Sequence, residues 1–127
     1  MRVLVCGSRN WHDYDIILNT LADECIACSG NIEVVIEGEC RGGDLLGKRA
    51  AQEMGIPILP FPADWAKYGK SAGIRRNAQM LVEGNPDSVL AFQINGSPGT
   101  GNMITIAADV GIPVKVYAPD GSWREVK

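Results

Sequence analysis

Hydrophobic and polar positions follow two alternating rhythms along this chain. Val3-Leu4-Val5-Cys6 is apolar at every position, the pattern of a strand covered on both faces. Ile17, Leu18, Leu21, Cys25 and Cys28 then recur at helical spacing. Asp13 or Asp15 can cap that helix, and Gly30 closes it. Ile32 to Ile36 predicts a second strand, and Leu45, Leu46, Ala50, Ala51 and Met54 a second helix ending at Gly55. Ile58-Leu59 with Phe61 predicts a short third strand, placed at an edge by Pro57, Pro60 and Pro62. A loop or short helical turn begins at Asp64-Trp65. Ser71 to Glu83 then reads as a helix with Ile74, Ala78, Leu81 and Val82 on its inner face. Val89 to Phe92 predicts the fourth strand and Val114 to Tyr117 the fifth, with a helix on Ile104, Ala107, Ala108 and Val110 between them. Asp120-Gly121 is a hairpin turn signal, so Ser122 to Val126 is expected to pair back as an antiparallel edge strand.

Such alternation predicts an α/β fold, a Rossmann-like doubly wound parallel sheet of order 3-2-1-4-5 with a C-terminal antiparallel hairpin strand. The 127 residues fit one domain, 1–127, with one core.

Composition adds one thing to this picture. The chain has 15 glycines, and many cluster just after predicted strands. The clusters are Gly7-Ser8-Arg9, Gly38 to Asp44 and Gly96 to Gly101. In the expected strand order, strands 2, 1 and 4 are neighbours. All three loops then share the carboxyl edge, around the switch point where open sheets bind ligands. Glycines let backbone N–H groups approach phosphate oxygens, and the last two loops run into helix N-termini, which attract anions. The expected binding residues are Gly7, Ser8, Arg9, Gly38, Gly42, Gly43, Asp44, Ser97, Gly99, Thr100 and Gly101. The plainer alternative is that each glycine only makes a tight strand-to-helix turn.

Charge and cysteines narrow the classes. A formal net charge of -3 weighs against a general nucleic-acid coating protein. No apolar run approaches the roughly 20 residues of a membrane span, so no membrane partner is expected. The N-terminus reads as a strand, not a signal peptide, which predicts a cytoplasmic protein. Cys25 and Cys28 form a C-x-x-C without a second pair, and His12 is the single histidine, so no metal site and no required cofactor are expected. Gly69-Lys70-Ser71 resembles the end of a P-loop, but Asp64 stands where its first glycine belongs. Gly99-Thr100-Gly101 opens like a dinucleotide fingerprint, but Ile104 occupies the third glycine position.

An ordered set of motifs is more specific. It comprises Gly7-Ser8-Arg9 with Trp11, Glu37-Gly38 through Gly42-Gly43-Asp44, Pro62-Ala63-Asp64-Trp65, Gly69-Lys70 through Arg76-Asn77 and Met80, and Gly99-Thr100 with Asn102-Met103. Over residues 3 to about 116 the chain resembles the SLOG superfamily, in its small YspA-like branch. The resemblance implies a Rossmann-like domain for nucleotides, nucleotide sugars or related derivatives, with the lonely-guy phosphoribohydrolases and the DNA-processing protein DprA as relatives. The hydrolases carry P-G-G-x-G-T-x-x-E and R-K-x-x-M segments. Arg76 and Met80 match the second, and Ser97-Pro98-Gly99-Thr100 partly matches the first. Met103 falls on the glutamate implied in N-glycosidic cleavage, and a thioether cannot act as an acid or base. Glu39 stands where a glycine is usual.

The resemblance adds Arg76 and Asn77 to the expected phosphate site. Trp11 and Trp65, near predicted loops at the rim, are candidates for base stacking or for lids on the core. Asp44 and Asp64 are each either helix caps or ligand contacts. No catalytic residue is assigned. The expected function is binding of a nucleotide or nucleotide derivative, as a sensor or processing domain. One alternative is a nucleoside-phosphate phosphoribohydrolase, with Asp44, Asp64 or Glu39 replacing the missing acid. The other, less favoured, is DprA-like nucleic-acid binding through Arg41, Lys48, Arg49, Lys70, Arg75 and Arg76. A homo-oligomer is also expected from the relatives.

Overall fold

The structure is a computed structural model that describes residues 1–126. Strand β1 (Arg2–Gly7) leads into α1 (Tyr14–Ala27), β2 (Val34–Glu37) into α2 (Gly43–Glu53), and β3 (Ile58–Pro60) into the short α3 (Trp65–Tyr68). A 3₁₀ turn over Gly69–Ser71 joins α3 to α4 (Ala72–Gly84). Then come β4 (Ser88–Phe92), α5 (Pro98–Asp109), β5 (Val114–Tyr117) and β6 (Trp123–Val126). The sheet order is β3-β2-β1-β4-β5-β6, parallel except for the β5–β6 hairpin. This is the predicted doubly wound order with its antiparallel last strand.

Strand β1 shows why the core has two halves. Successive side chains point to opposite faces of a strand. Val3 and Val5 face α1 and α2, where they pack with Ile17, Leu21, Val35, Ala50 and Phe92. Leu4 and Cys6 face the other layer, with Ile36, Met80, Ala91, Met103 and Ala107 from β2, α4, β4 and α5. Register pairs such as Val5 with Leu90 and Gly7 with Phe92 bring the ends of β1 and β4 level. The switch point is therefore a gap between two carboxyl ends at one height.

Asp13, not Asp15, caps α1, accepting from the Ile16 N–H at 3.2 Å. The inner face of α4 differs from the expectation. Ile74 is 58% exposed and Val82 81% exposed, Ala78 is exposed and Leu81 half-buried. The buried positions are Ala72, Arg76, Asn77, Met80 and Gly84. Gly84 sets this rotation, because a Cβ there would lie 3.1 Å from the Ile36 side chain. The helix thus approaches the sheet over a glycine, and two polar residues can turn inward because other loops supply their partners.

Candidate functional site

The ends of β1, β2 and β4 surround a cleft of about 670 Å³. The first loop contributes Gly7, Ser8 and Arg9, and the second contributes Cys40, Arg41 and Asp44. The third contributes Ser97, Gly99, Thr100 and Asn102, and the α3–α4 segment adds Trp65, Lys70, Arg76 and Asn77. Most residues expected at the site are gathered here. Gly38, Gly42, Gly43, Gly101 and Trp11 do not line the cleft.

Four of these absences have a physical reason. Gly7 and Gly43 press backbone to backbone, and a Cβ on Gly7 would lie 2.7 Å from the Gly43 Cα. Gly42 has a φ of 80°, and a Cβ there would meet the Ser8 carbonyl and come within 2.7 Å of the Arg9 carbonyl oxygen. Gly38 is wedged under two charged groups, 2.5 Å from Arg76 Nη1 and 2.8 Å from Asp44 Oδ2 as measured from its Cβ position. These glycines fasten the second loop to the first and to α4. Trp11 is 2% exposed, packs edge-on against Phe92 at 5.4 Å, and donates its indole N–H to the Asp13 carbonyl at 2.8 Å. It is a core pillar, so the base-stacking expectation does not hold for it. Trp65 is 45% exposed at the cleft rim, beneath the Arg9 guanidinium at 5.3 Å.

Helix α2 begins in a closed way. The Gly43 N–H donates to the Ser8 carbonyl at 3.2 Å and the Leu45 N–H to the Cys40 carbonyl at 3.1 Å. Asp44 Oδ1 accepts from the Gly7 N–H at 3.2 Å, and Oδ2 accepts from the Cys40 N–H at 3.4 Å. Asp44 thus staples the first loop to the second. Burial raises its pKa to about 6, against the opposing pull of the Arg76 charge and those N–H groups.

Helix α5 begins in an open way. The Ser97 hydroxyl donates to the Ile94 carbonyl at 2.8 Å and touches the Ser8 hydroxyl, so it does not cap the helix. Pro98 has no N–H. The Gly99 and Thr100 N–H groups have no acceptor among the described residues, and Gly99 faces open space. Free first-turn amides and the helix dipole make this end a place for negative charge.

The α4 helix closes the floor. Arg76 Nη1 donates to the Gly38 carbonyl at 2.5 Å, and its Nε to Asn77 Oδ1 at 3.0 Å. Nη2 makes no hydrogen bond among the described residues. Asn77 donates to the Gly99 carbonyl at 3.1 Å and to Asn102 Oδ1 at 3.0 Å, which holds the start of α5. Met103 lies fully buried in the core behind this turn, so the position matched to the hydrolase glutamate does not line the cleft. Asn102, one residue earlier, lines it instead. Asp64 caps α3 through the Lys67 N–H at 3.0 Å, and Glu39 pairs with Lys48 at 2.7 Å.

Asn102 and Glu37 stand in the ordered motifs but are not among the residues expected at the site. Asn102 could have been found as the residue three after Gly99 on the same helix face. Glu37 ends β2 fully buried, with its Oε1 accepting from the Glu39 N–H at 3.1 Å and its Oε2 unpartnered. Burial first, then the adjoining Glu39 carboxyl, raises its pKa to about 8. Among the described residues, no group of three or more His, Cys, Asp or Glu side chains is placed to hold a metal ion. No described helix is long and apolar enough to cross a membrane.

A doubly wound sheet with an uncapped helix start at its switch point defines a Rossmann-like domain. The model of the YspA, cpYpsA-related SLOG family matches residues 1–68, and the chain belongs to that family. It is also 39% identical over 118 residues to the Gene 61 protein of Mycobacterium phage D29, covering 89% of this chain and 93% of that protein. No solved structure gives a significant match. Family membership suggests a nucleotide-related role.

Proposed function

We propose that this chain binds a nucleotide or nucleotide derivative in the switch-point cleft, as a sensor or processing domain, with a phosphate seated on the N-terminus of α5. The observation that carries this reading is the uncapped helix start: unpaired Gly99 and Thr100 amides, open space at Gly99, and a Ser97 side chain turned elsewhere. Thr100, Asn102 and Arg76, whose Nη2 makes no hydrogen bond among the described residues, line the same cleft. Trp65, 45% exposed at its rim with Arg9 over the ring, offers indole surface for a base.

A panel of nucleoside mono-, di- and triphosphates and nucleotide sugars, screened by thermal shift and followed by calorimetry, tests this. A ligand at a hundred times its Kd stabilises a fold by about 2.7 kcal/mol, a readily visible shift. Gly99→Val should abolish that shift while the free protein keeps its melting temperature. If no nucleotide moves the melting temperature at millimolar concentration, the reading is lost.

One observation supports a second reading, a nucleoside-phosphate hydrolase. Asp44 is the one carboxylate lining the main cleft, and its pKa of about 6 suits proton transfer near neutrality. Both its oxygens are engaged by backbone N–H groups, which favours a structural role. Release of free base from a nucleoside monophosphate, lost in Asp44→Asn, would establish the hydrolase.

A further inference from the structure

The cleft continues past Trp65 into a second lobe of about 480 Å³, lined by Arg9, Glu39, Cys40, Arg41 and Trp65. Its charge is unusual for a chain whose formal net charge is -3. Three described cations sit in ion pairs, namely Lys48, Arg49 and Lys115. Arg9, Arg41, Lys70 and Arg76 form no ion pair among the described residues and all line the main cleft, and the first two line the second lobe as well. The carboxylate of that lobe, Glu39, is held by Lys48 at 2.7 Å and does not offset the two guanidinium groups. Unpaired cations in one concavity concentrate potential for an anion.

The backbone here is also specially arranged. Glu39 holds a φ of 61°, a conformation that side chains other than glycine's adopt at a cost. With Gly42 at a φ of 80°, it brackets Cys40 and Arg41, and the Cys40 N–H is anchored on Asp44. Arg9 is fixed from the other side by its position over the Trp65 ring at 5.3 Å. Trp65, with Arg9, Cys40 and Arg41, lines both lobes and so joins the cleft at the α5 helix start to the second lobe.

We propose that the ligand carries two separated anionic groups joined through a nucleoside, one seated at the start of α5 and the other on Arg9 and Arg41, with the nucleoside against Trp65. This rests on the reading of the main cleft as a nucleotide site and adds the ligand's class, a bis-phosphorylated small nucleotide. A nucleoside monophosphate would fill the first position and leave the arginine lobe empty.

Calorimetry on the full chain, with the 5′-monophosphates and the 3′,5′-bisphosphates of the four common ribonucleosides, tests the proposal. The best bisphosphate should bind about tenfold tighter than its monophosphate, as an added charge-assisted contact implies. Arg41→Gln should remove most of that advantage, weakening the bisphosphate several-fold more than the monophosphate. Equal affinities in the wild type, or an advantage that survives Arg41→Gln, would overturn the two-anion ligand while the nucleotide site itself stands. No binding by any of the eight compounds at millimolar concentration would overturn the two-anion ligand, while the nucleotide site itself stands or falls with the wider nucleotide panel. Affinity for 5′-phosphorylated oligonucleotides that keeps rising with length through a decamer would assign the lobe to a nucleic-acid strand and overturn the small-ligand class.

Discussion

The second and third glycine loops look alike in sequence and do opposite things in the structure. Each follows a strand of the same sheet and enters a helix at the same edge. In the second, the glycines admit other parts of the protein: Gly43 the Gly7 backbone, Gly42 the Ser8 and Arg9 carbonyls, Gly38 the Arg76 guanidinium. In the third, Gly99 admits nothing, and its amide is left open to the cleft. A missing Cβ is therefore evidence of close approach, and only the surroundings tell whether the visitor is the chain itself or a ligand.

The largest effect that would break this comparison belongs to Gly43. Gly43→Ala adds a methyl group against the Gly7 backbone, where no flexible side chain can yield. We expect a loss of about 3 kcal/mol of stability, the upper range for overpacking. Denaturant titration measures it, and a loss near zero would mean the two loops are not fastened at that point. Asp44→Ala comes next. It leaves the Gly7 and Cys40 N–H groups without their acceptor and Arg76 buried without the nearby opposite charge. Roughly 2 kcal/mol should be lost, with the same titration as the check.

These distinctions bear on how far the sequence could be read. Hydropathy rhythm sufficed for the strand order and the hairpin, because fully apolar strands and amphipathic helices leave few ways to cover a sheet. It failed on α4, where hydropathy placed Ile74 and Val82 inside, yet Arg76 and Asn77 are buried. Their partners are the Gly38 and Gly99 carbonyls, 38 and 22 residues away, and no local pattern records them. Trp11 posed the same difficulty, since its place beside Phe92 depends on β4 lying next to β1. The gathering of the three loops was legible because it follows from strand order alone. Which loop stays open was not, because Ser97 could equally have capped α5 had Ser8 and Ile94 not engaged it.

A smaller effect tests the closed side through pH. Glu37 lies fully buried beside Glu39, and its folded pKa is raised to about 8. A raised carboxyl pKa means the fold prefers the protonated form, so this stability is complete below the unfolded value and is lost as pH rises through about 8. Asp44 has the same sign, but its loss is largely over once the pH exceeds about 6. Glu39 is lowered, chiefly by its hydrogen bond with Lys48, so its contribution is lost only in acid. Between pH 6.5 and 9, as chosen bounds about this window, Glu37 is the carboxyl that changes. Glu37→Gln mimics the neutral acid. It should already exceed the wild type at the lower pH, where unfolded Glu37 is ionised, and the gap should widen by roughly 1 to 2 kcal/mol at the higher. Parallel stability curves for the two proteins would show that the buried carboxyl is already ionised.

The smallest effect on stability should come from the open side, at Gly99. Apart from its chain neighbours and its own helix backbone, no described atom lies within 4 Å of the Cβ it lacks, and it sits in the first turn of α5. Alanine is a better helix former than glycine, and nothing resists the added methyl. Gly99→Ala should therefore change stability by less than about 0.5 kcal/mol, the ordinary range for an exposed site. That methyl would stand where a phosphate oxygen must approach the amides, so nucleotide affinity should fall by about tenfold. Gly43→Ala and Gly99→Ala thus form a matched pair, each adding one methyl group to one glycine loop. If Gly99→Ala binds nucleotides as well as the wild type does, the phosphate is not on α5. The two loops would then differ in packing without differing in function.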